Sequence, residues 1–150
     1  MAAIPNKVLV RKFYREVWDE RKVQAVDKYL SPSHAFVDPN ALDEKTGPEA
    51  YKEIVMRFFQ AFSELKFEVQ DMICENDKVA AAWTISGVHT GEYRGIAATN
   101  KKVTVEGISI HQLADGKIMD TNSVWDALGL MKKIGAIVTV GRARSKARGN

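Results

Sequence analysis

Apolar residues near the start of the chain fall at Val10, Phe13, Tyr14, Val17 and Trp18. That i, i+3, i+4, i+7, i+8 spacing is the stripe of an amphipathic helix. A short second helix is expected over residues 23–30, stopped by Pro32, and "SPSHAFVDPN" reads as a brief extended segment ended by Pro39. "TGPEAYKEIVMRFFQAFSEL" predicts a third helix, with Pro48 in its first turn and Tyr51, Ile54, Val55, Phe58 and Phe62 along one stripe. Beyond it the period changes from 3.6 to 2. Strands are expected over 66–74, after the turn "ENDK" over 79–90, and after the loop "GEYRGIAATNKK" over 103–113. Asp115-Gly116 is a two-residue hairpin signal leading to a last strand over 117–125, and Asp126 caps a terminal helix closed by Gly135. Helices followed by successive antiparallel strands give an α+β order, with the aromatic stripe of the third helix buried across one face of the sheet.

A two-residue turn pairs Ala114 with Lys117, and a regular ladder then sorts the hairpin into two faces. One carries Glu106, Ile108, Ile110, Gln112, Met119, Thr121, Ser123 and Trp125; the other carries Ser109, His111, Leu113, Ile118, Asp120, Asn122 and Val124. The first combines a tryptophan and isoleucines with a few uncharged polar groups, the makeup of an apolar cavity wall. On the second, His111 faces Asp120, which reads as a surface or subunit contact.

The composition, 150 residues with 45% hydrophobic and 27% charged, suits one domain, expected over 1–137. The net charge of +3 is concentrated in "RARSKARGN", where Arg142, Arg144, Lys146 and Arg148 stand without an acid; residues 138–150 are expected to be a disordered basic tail. Without those cations the domain has no basic bias, so no nucleic-acid surface is expected. No run approaches the roughly 18 apolar residues of a membrane span, and "MAAIPNKVLV" lacks the pattern of a secretion signal, so no membrane partner and a cytoplasmic location are expected. The single cysteine, Cys74, and the dispersed His34, His89 and His111 show no metal-ligand spacing, so a site without metal or cofactor is expected. Cys74, among apolar neighbours, reads as a small buried side chain.

Taken in order, "FYREVWDERKVQAVDKYL", "FVDPN", "GPEAY", "DKVAAAWTISGVHTGEYRGIAATNKKVTVEGISI", "ADGKI" and "VWDALGLMKKIG" resemble the SnoaL-like polyketide cyclases, the ester cyclase group within the NTF2-like superfamily that includes ketosteroid isomerase. The resemblance implies a cone-shaped fold, a curved antiparallel sheet wrapped around N-terminal helices with a blind apolar pocket at its wide end. It also implies roles. Tyr14 matches a helix-one tyrosine that donates to an enolate oxygen, and Asp38, directly before Pro39, matches a proton-shuttling aspartate. A carboxylate walled by apolar groups holds its proton to higher pH, and a phenol stabilises a developing oxyanion. Where relatives carry ionisable groups this chain has Val37, Ala82, Ile108 and Thr121 or Ser123, which disfavours steroid isomerisation.

The expected function is therefore a cofactor-independent cyclase or isomerase acting on a small hydrophobic carbonyl compound, with Asp38 as base and Tyr14 as oxyanion donor. His89, at a strand end beside a loop, and Glu106, on the proposed pocket face, are further acid–base candidates. Trp18, Phe36, Phe58, Phe59, Phe62, Ile108, Ile110, Thr121, Ser123 and Trp125 are expected to shape the pocket. Phe36 and Asp38 alternate to the same side of their segment, so a largely buried Asp38 is expected. The opposite placement, with Asp38 accepting bonds from the amides of the "NALDE" turn, remains open. Two alternatives are a non-catalytic binding or assembly module and water activation on an epoxide. The outer face of the sheet is expected to form a homodimer interface.

Overall fold

The computed structural model describes residues 5–41 and 46–136; the basic tail expected over 138–150 lies outside them. Helix α1 (Asn6–Tyr14) buries Leu9, Val10, Phe13 and Tyr14. It runs on into a π turn (Arg15–Asp19), closed by Glu20 N–H donating to Arg15 O at 2.9 Å, which carries Val17 and Trp18 inward. The expected second helix is shorter: a 3₁₀ turn (Val23–Ala25) and one turn of helix, α2 (Val26–Tyr29), after which Leu30 is already extended. Strand β1 (Leu30–Val37) follows. Helix α3 (Pro48–Ala61) starts after Gly47, whose φ of 91° suits a residue without a side chain, and ends four residues before the expected boundary. Phe62 instead opens β2 (Phe62–Glu75), and β3 (Lys78–His89), β4 (Lys102–Ala114), β5 (Lys117–Trp125) and α4 (Ala127–Lys133) complete the chain. Asp126 caps α4 by accepting Gly129 N–H at 2.8 Å.

The strands form one sheet in the order β1-β5-β4-β3-β2. Three pairings are antiparallel, but β1 lies parallel to β5, so the sheet is mixed where an antiparallel one is expected. Helix α3 joins β1 to β2, the two opposite edges, and packs against both. A single helix reaches both edges only if the sheet curls around it, and this curl makes the cone. Helix α1 packs on β2 and β3 within the same concavity. No described helix is long and apolar enough to cross a membrane.

The turn at Asp115-Gly116 has the expected positive φ at both positions, 50° and 74°. Ala114 pairs with Lys117 and Leu113 with Ile118, but Gln112 pairs with Asp120. Met119 is an extra residue on β5, a bulge, and every later pair is displaced by one: His111 faces Thr121, Ser109 faces Ser123 and Ile108 faces Val124. Because the side-chain period is two, this slip separates the residues expected to share a face. Thr121 and Ser123 stay inside and are joined by His111 and Ser109, all buried, while Ile108 and Ile110 are 55% and 45% exposed on the outside. Glu106 is also exposed and outside, and His111 does not meet Asp120. Ile108, Ile110 and Glu106 are therefore not pocket residues. Cys74 is exposed as well: the register shift between Val69 and Asp71 puts it on the side of Met72, but it stands at the end of β2 beside the turn, with its Sγ 3.7 Å from Asn76 O.

Gly107 pairs with both Trp83 and Trp125, and a Cβ there would collide with the Trp83 ring and with Trp125 Cβ. Gly107→Ala is expected to cost about 1–3 kcal/mol in urea unfolding and to alter the near-ultraviolet circular dichroism of the tryptophans. A variant within about 0.5 kcal/mol of wild type would show that the Trp83 ring moves aside freely.

Candidate functional site

Between the concave sheet and helices α1 and α3 lies a cavity of about 510 Å³. Its walls are aromatic: Trp18, Phe36, Tyr51, Phe58, Phe67, Trp83, Tyr93 and Trp125 all line it. Such a site takes a molecule of drug size and favours flat apolar ones. Polar groups cluster at two places. Tyr14, Ser109 and Ser123, each buried, stand at the closed end; Asp38, Glu53, Arg57, Glu92 and Arg94 stand at the mouth.

The closed end is a connected network. Tyr14 Oη lies 2.6 Å from His111 Nε2, His111 Nδ1 lies 2.8 Å from Thr121 Oγ1, and Thr121 Oγ1 lies 2.9 Å from His34 Nε2. Beside it Ser109 Oγ and Ser123 Oγ are 2.6 Å apart, and the Trp83 indole N–H donates to Ser109 at 3.0 Å. The Tyr14 ring is held by stacking on Phe67, with centroids 4.6 Å apart. Burial pushes the Tyr14 and Tyr51 phenols far above their usual range, so both remain protonated donors. The same burial pulls His111 down to about 3 and His34 down to about 4, so both imidazoles are neutral at pH 7.

Asp38 lies at the mouth and is half-buried, where a largely buried position is expected. Its Oδ1 accepts Asn40 N–H at 2.8 Å, a bond from the following turn, and its Oδ2 accepts the Trp125 indole N–H at 2.8 Å. The structure thus combines the two placements left open: the carboxylate lines the cavity and also closes a turn. Each oxygen still has a second lone pair.

Of the other expected residues, Trp18, Phe36, Phe58, Ser123 and Trp125 line the cavity. Phe59 does not: it packs edge-on against Trp18 and lies under the Arg21 guanidinium, 4.4 Å from its centroid. Phe62 is buried against His89 and Tyr93, behind the wall. Thr121 stands one residue back, behind His111. His89 is fully buried away from the cavity, with Nδ1 bonded to the Thr99 hydroxyl and amide, so it fastens the loop before β4. Tyr51, Phe67, Trp83, Tyr93, Ser109 and the two network histidines were not among the expected site residues. For His34 a signal existed, since it precedes Phe36 and Asp38 at spacing two. For Ser109 and His111 a signal existed too, since they alternate with the buried Val103, Val105 and Leu113 along β4; the bulge on β5 then brings Thr121 and Ser123 to the same side. Among the described residues no group of three or more His, Cys, Asp and Glu is arranged to hold a metal ion.

The depressed histidines make stability depend on pH. In the unfolded chain each binds a proton below about 6.5, whereas in the folded protein neither does until about 4 or lower. Their contribution is complete above pH 6.5 and is lost as pH falls toward their folded values. At pH 4.5 the expected loss is roughly 2–3 kcal/mol per histidine relative to pH 7. Urea unfolding from pH 7 to 4.5 measures it, and His34→Gln should show a shallower slope; an unchanged slope would contradict this origin.

Comparison with known proteins agrees with this architecture. The chain is 31% identical over 135 residues to aklanonic acid methyl ester cyclase DauD of Streptomyces sp. (strain C5), covering 87% of this chain and 82% of that one. It is 27% identical over 113 residues to the nogalonic acid methyl ester cyclase of Streptomyces nogalater, covering 73% and 83%. Among solved structures, a putative polyketide cyclase from Acidithiobacillus ferrooxidans superposes with a TM-score of 0.78 at 25% identity, covering 89% of this chain and 97% of that one. The family model described as SnoaL-like polyketide cyclase matches residues 8–134, a span from within α1 to just past α4, and so the chain belongs to the SnoaL-like polyketide cyclases.

Proposed function

We propose that the protein is a cofactor-independent cyclase that closes a ring in a small hydrophobic carbonyl compound, a polyketide-acid methyl ester of the kind named for its relatives. The observation that carries this reading is the cavity itself. It is large, walled by flat aromatic rings, and polar at its closed end and at its mouth. A flat substrate entering lengthwise would place a carbonyl oxygen against the Tyr14 hydroxyl, with Ser109 and Ser123 beside it. Asp38 would take the proton from the carbon next to a carbonyl; the resulting enolate oxygen would be held by Tyr14, the carbanion carbon would attack a second carbonyl of the same molecule, and the alkoxide so formed would take up a proton as Asp38 gives its own back. A ring closure of this kind leaves the molecular mass unchanged. A cytoplasmic location belongs to the same proposal.

Incubation with such a methyl ester should therefore yield a product of identical mass and shifted absorption. Asp38→Asn is expected to lower kcat by about 10²–10⁴ and Tyr14→Phe by about 10²–10³. Wild-type turnover in Asp38→Asn would remove the base assignment.

The outer face of the sheet supports a second proposal, the homodimer. Ile110 and Ile73 flank Ala80 in one cross-strand row, and Val124 and Ile108 lie beside Ala82 in the next. Ile73, Ile108, Ile110 and Val124 are 64%, 55%, 45% and 65% exposed, a contiguous apolar face that a second copy would cover. Sedimentation is expected to show a dimer at micromolar concentration, reduced to monomer by Ile108→Glu. A wild-type monomer would contradict it.

A further inference from the structure

The tyrosine at the closed end has two choices for its proton, and the groups behind it decide between them. Tyr14, His111, Thr121 and His34 form a linear chain of three hydrogen bonds at 2.6, 2.8 and 2.9 Å. Both histidines are neutral, so each carries one N–H and one bare nitrogen. Thr121 has one hydroxyl proton and no other side-chain hydrogen-bond partner among the described residues, so it passes the chain's direction from one ring to the other.

If Tyr14 donates to His111 Nε2, the proton on His111 sits on Nδ1 and is given to Thr121. Thr121 then donates to His34 Nε2, and the proton of His34 must sit on Nδ1. That nitrogen is buried and has no hydrogen-bond partner among the described residues. Its nearest substitute is the Tyr51 ring, edge-on with centroids 6.1 Å apart, a weaker acceptor than oxygen or nitrogen. If instead both rings donate to Thr121, its own hydroxyl proton is stranded. In the opposite direction His34 Nε2–H donates to Thr121, Thr121 O–H to His111 Nδ1, and His111 Nε2–H to Tyr14 Oη. No buried donor is then left without an acceptor; only a lone pair on His34 Nδ1 is unused. A buried N–H without a partner is the rarer and costlier defect.

We propose that His34, Thr121 and His111 are positioning residues that lock this second direction, so that the Tyr14 hydroxyl always presents its proton to the cavity and to an oxyanion formed there. The inference rests on the cyclase reading for its purpose, though not for its geometry. A phenol oxygen that already accepts a 2.6 Å bond from His111 is a stronger donor than an isolated phenol, because bonds in a chain polarise one another. It is also preorganised: the proton need not turn away from the protein when negative charge develops on the substrate. The Ser109 hydroxyl, which accepts the Trp83 N–H and lines the cavity, stands beside Tyr14 as a hydrogen-bond partner on the cavity side. This explains two histidines and a threonine buried behind the wall of a site that none of them touches directly.

The test reads tautomers in the whole chain without any substrate, so it can succeed or fail independently of turnover. Long-range proton–nitrogen correlation spectra of the ¹⁵N-histidine-labelled protein at pH 7 are expected to show His111 and His34 both as single neutral tautomers with the proton on Nε2. His111 carrying its proton on Nδ1 would overturn the proposal, since Tyr14 would then be the donor to it. Thr121→Val removes the hydroxyl that sets direction and is expected to convert His111 to a mixture of tautomers, while Thr121→Ser keeps the single form. An unchanged His111 tautomer in Thr121→Val would also overturn the relay. Should the valine variant fail to fold, the wild-type and serine spectra decide the matter.

Discussion

One inserted residue governs the site. Met119 has no partner on β4, and its bulge advances the ladder of the last hairpin by one residue beyond Leu113. Without it, β5 would turn Asp120, Asn122 and Val124 toward the helices and Thr121 and Ser123 outward, while His111 and Ser109 keep the inner side that the unbroken β3–β4 ladder gives them. With it, Thr121 and Ser123 join His111 and Ser109 on the concave side, and Val124 turns to the outer face beside Ile108. The polar end of the cavity thus depends on one local distortion, which also adds Val124 to an apolar back of the sheet that Ile73, Ile108 and Ile110 already form.

Much of the architecture was legible in the chain because it rests on local periodicity. The stripe from Val10 to Trp18 and the Asp115-Gly116 turn are set by nearest neighbours and appear where expected. The bulge was not legible, because Met119 carries no glycine or other local mark and both hairpin faces mix polar with apolar residues. A regular ladder was the simplest reading; it put Thr121 and Ser123 on the face of Glu106, Ile108 and Ile110, and taking that face as the inner one misplaced those three and His111 together. The parallel placement of β1 beside β5 depends on where α3 carries the chain, a tertiary matter that periodicity does not encode. Helix α3 also stops at Ala61 although its pattern continues, because Phe62 gains more by entering the sheet. His34, Ser109 and His111 were legible by alternation, the first through Phe36 and Asp38 and the other two through Val103, Val105 and Leu113.

The site divides its chemistry between two ends. At the closed end the phenol, hydroxyls and imidazoles brace one another, and burial keeps the phenol and imidazoles neutral in a setting where charge is costly. At the mouth stand Asp38, anchored by Asn40 and Trp125, and the Arg57 and Arg94 guanidinium groups. Aromatic walls span the distance between them. A molecule held there feels a hydrogen-bond donor at one end and a carboxylate at the other, an arrangement suited to drawing a proton toward the mouth while negative charge settles at the depth. Ring closure also asks that a flexible chain be folded before it reacts, and flat walls restrict its conformers.

That division of roles is tested most directly by a crystal structure of the protein with a bound polyketide-acid methyl ester. The expected result is a carbonyl oxygen within about 3 Å of Tyr14 Oη at the closed end, and an acidic carbon of the same molecule within reach of Asp38. A ligand whose carbonyl oxygens are all held at the mouth by Arg57 or Arg94, with only hydrocarbon against Tyr14, would contradict it.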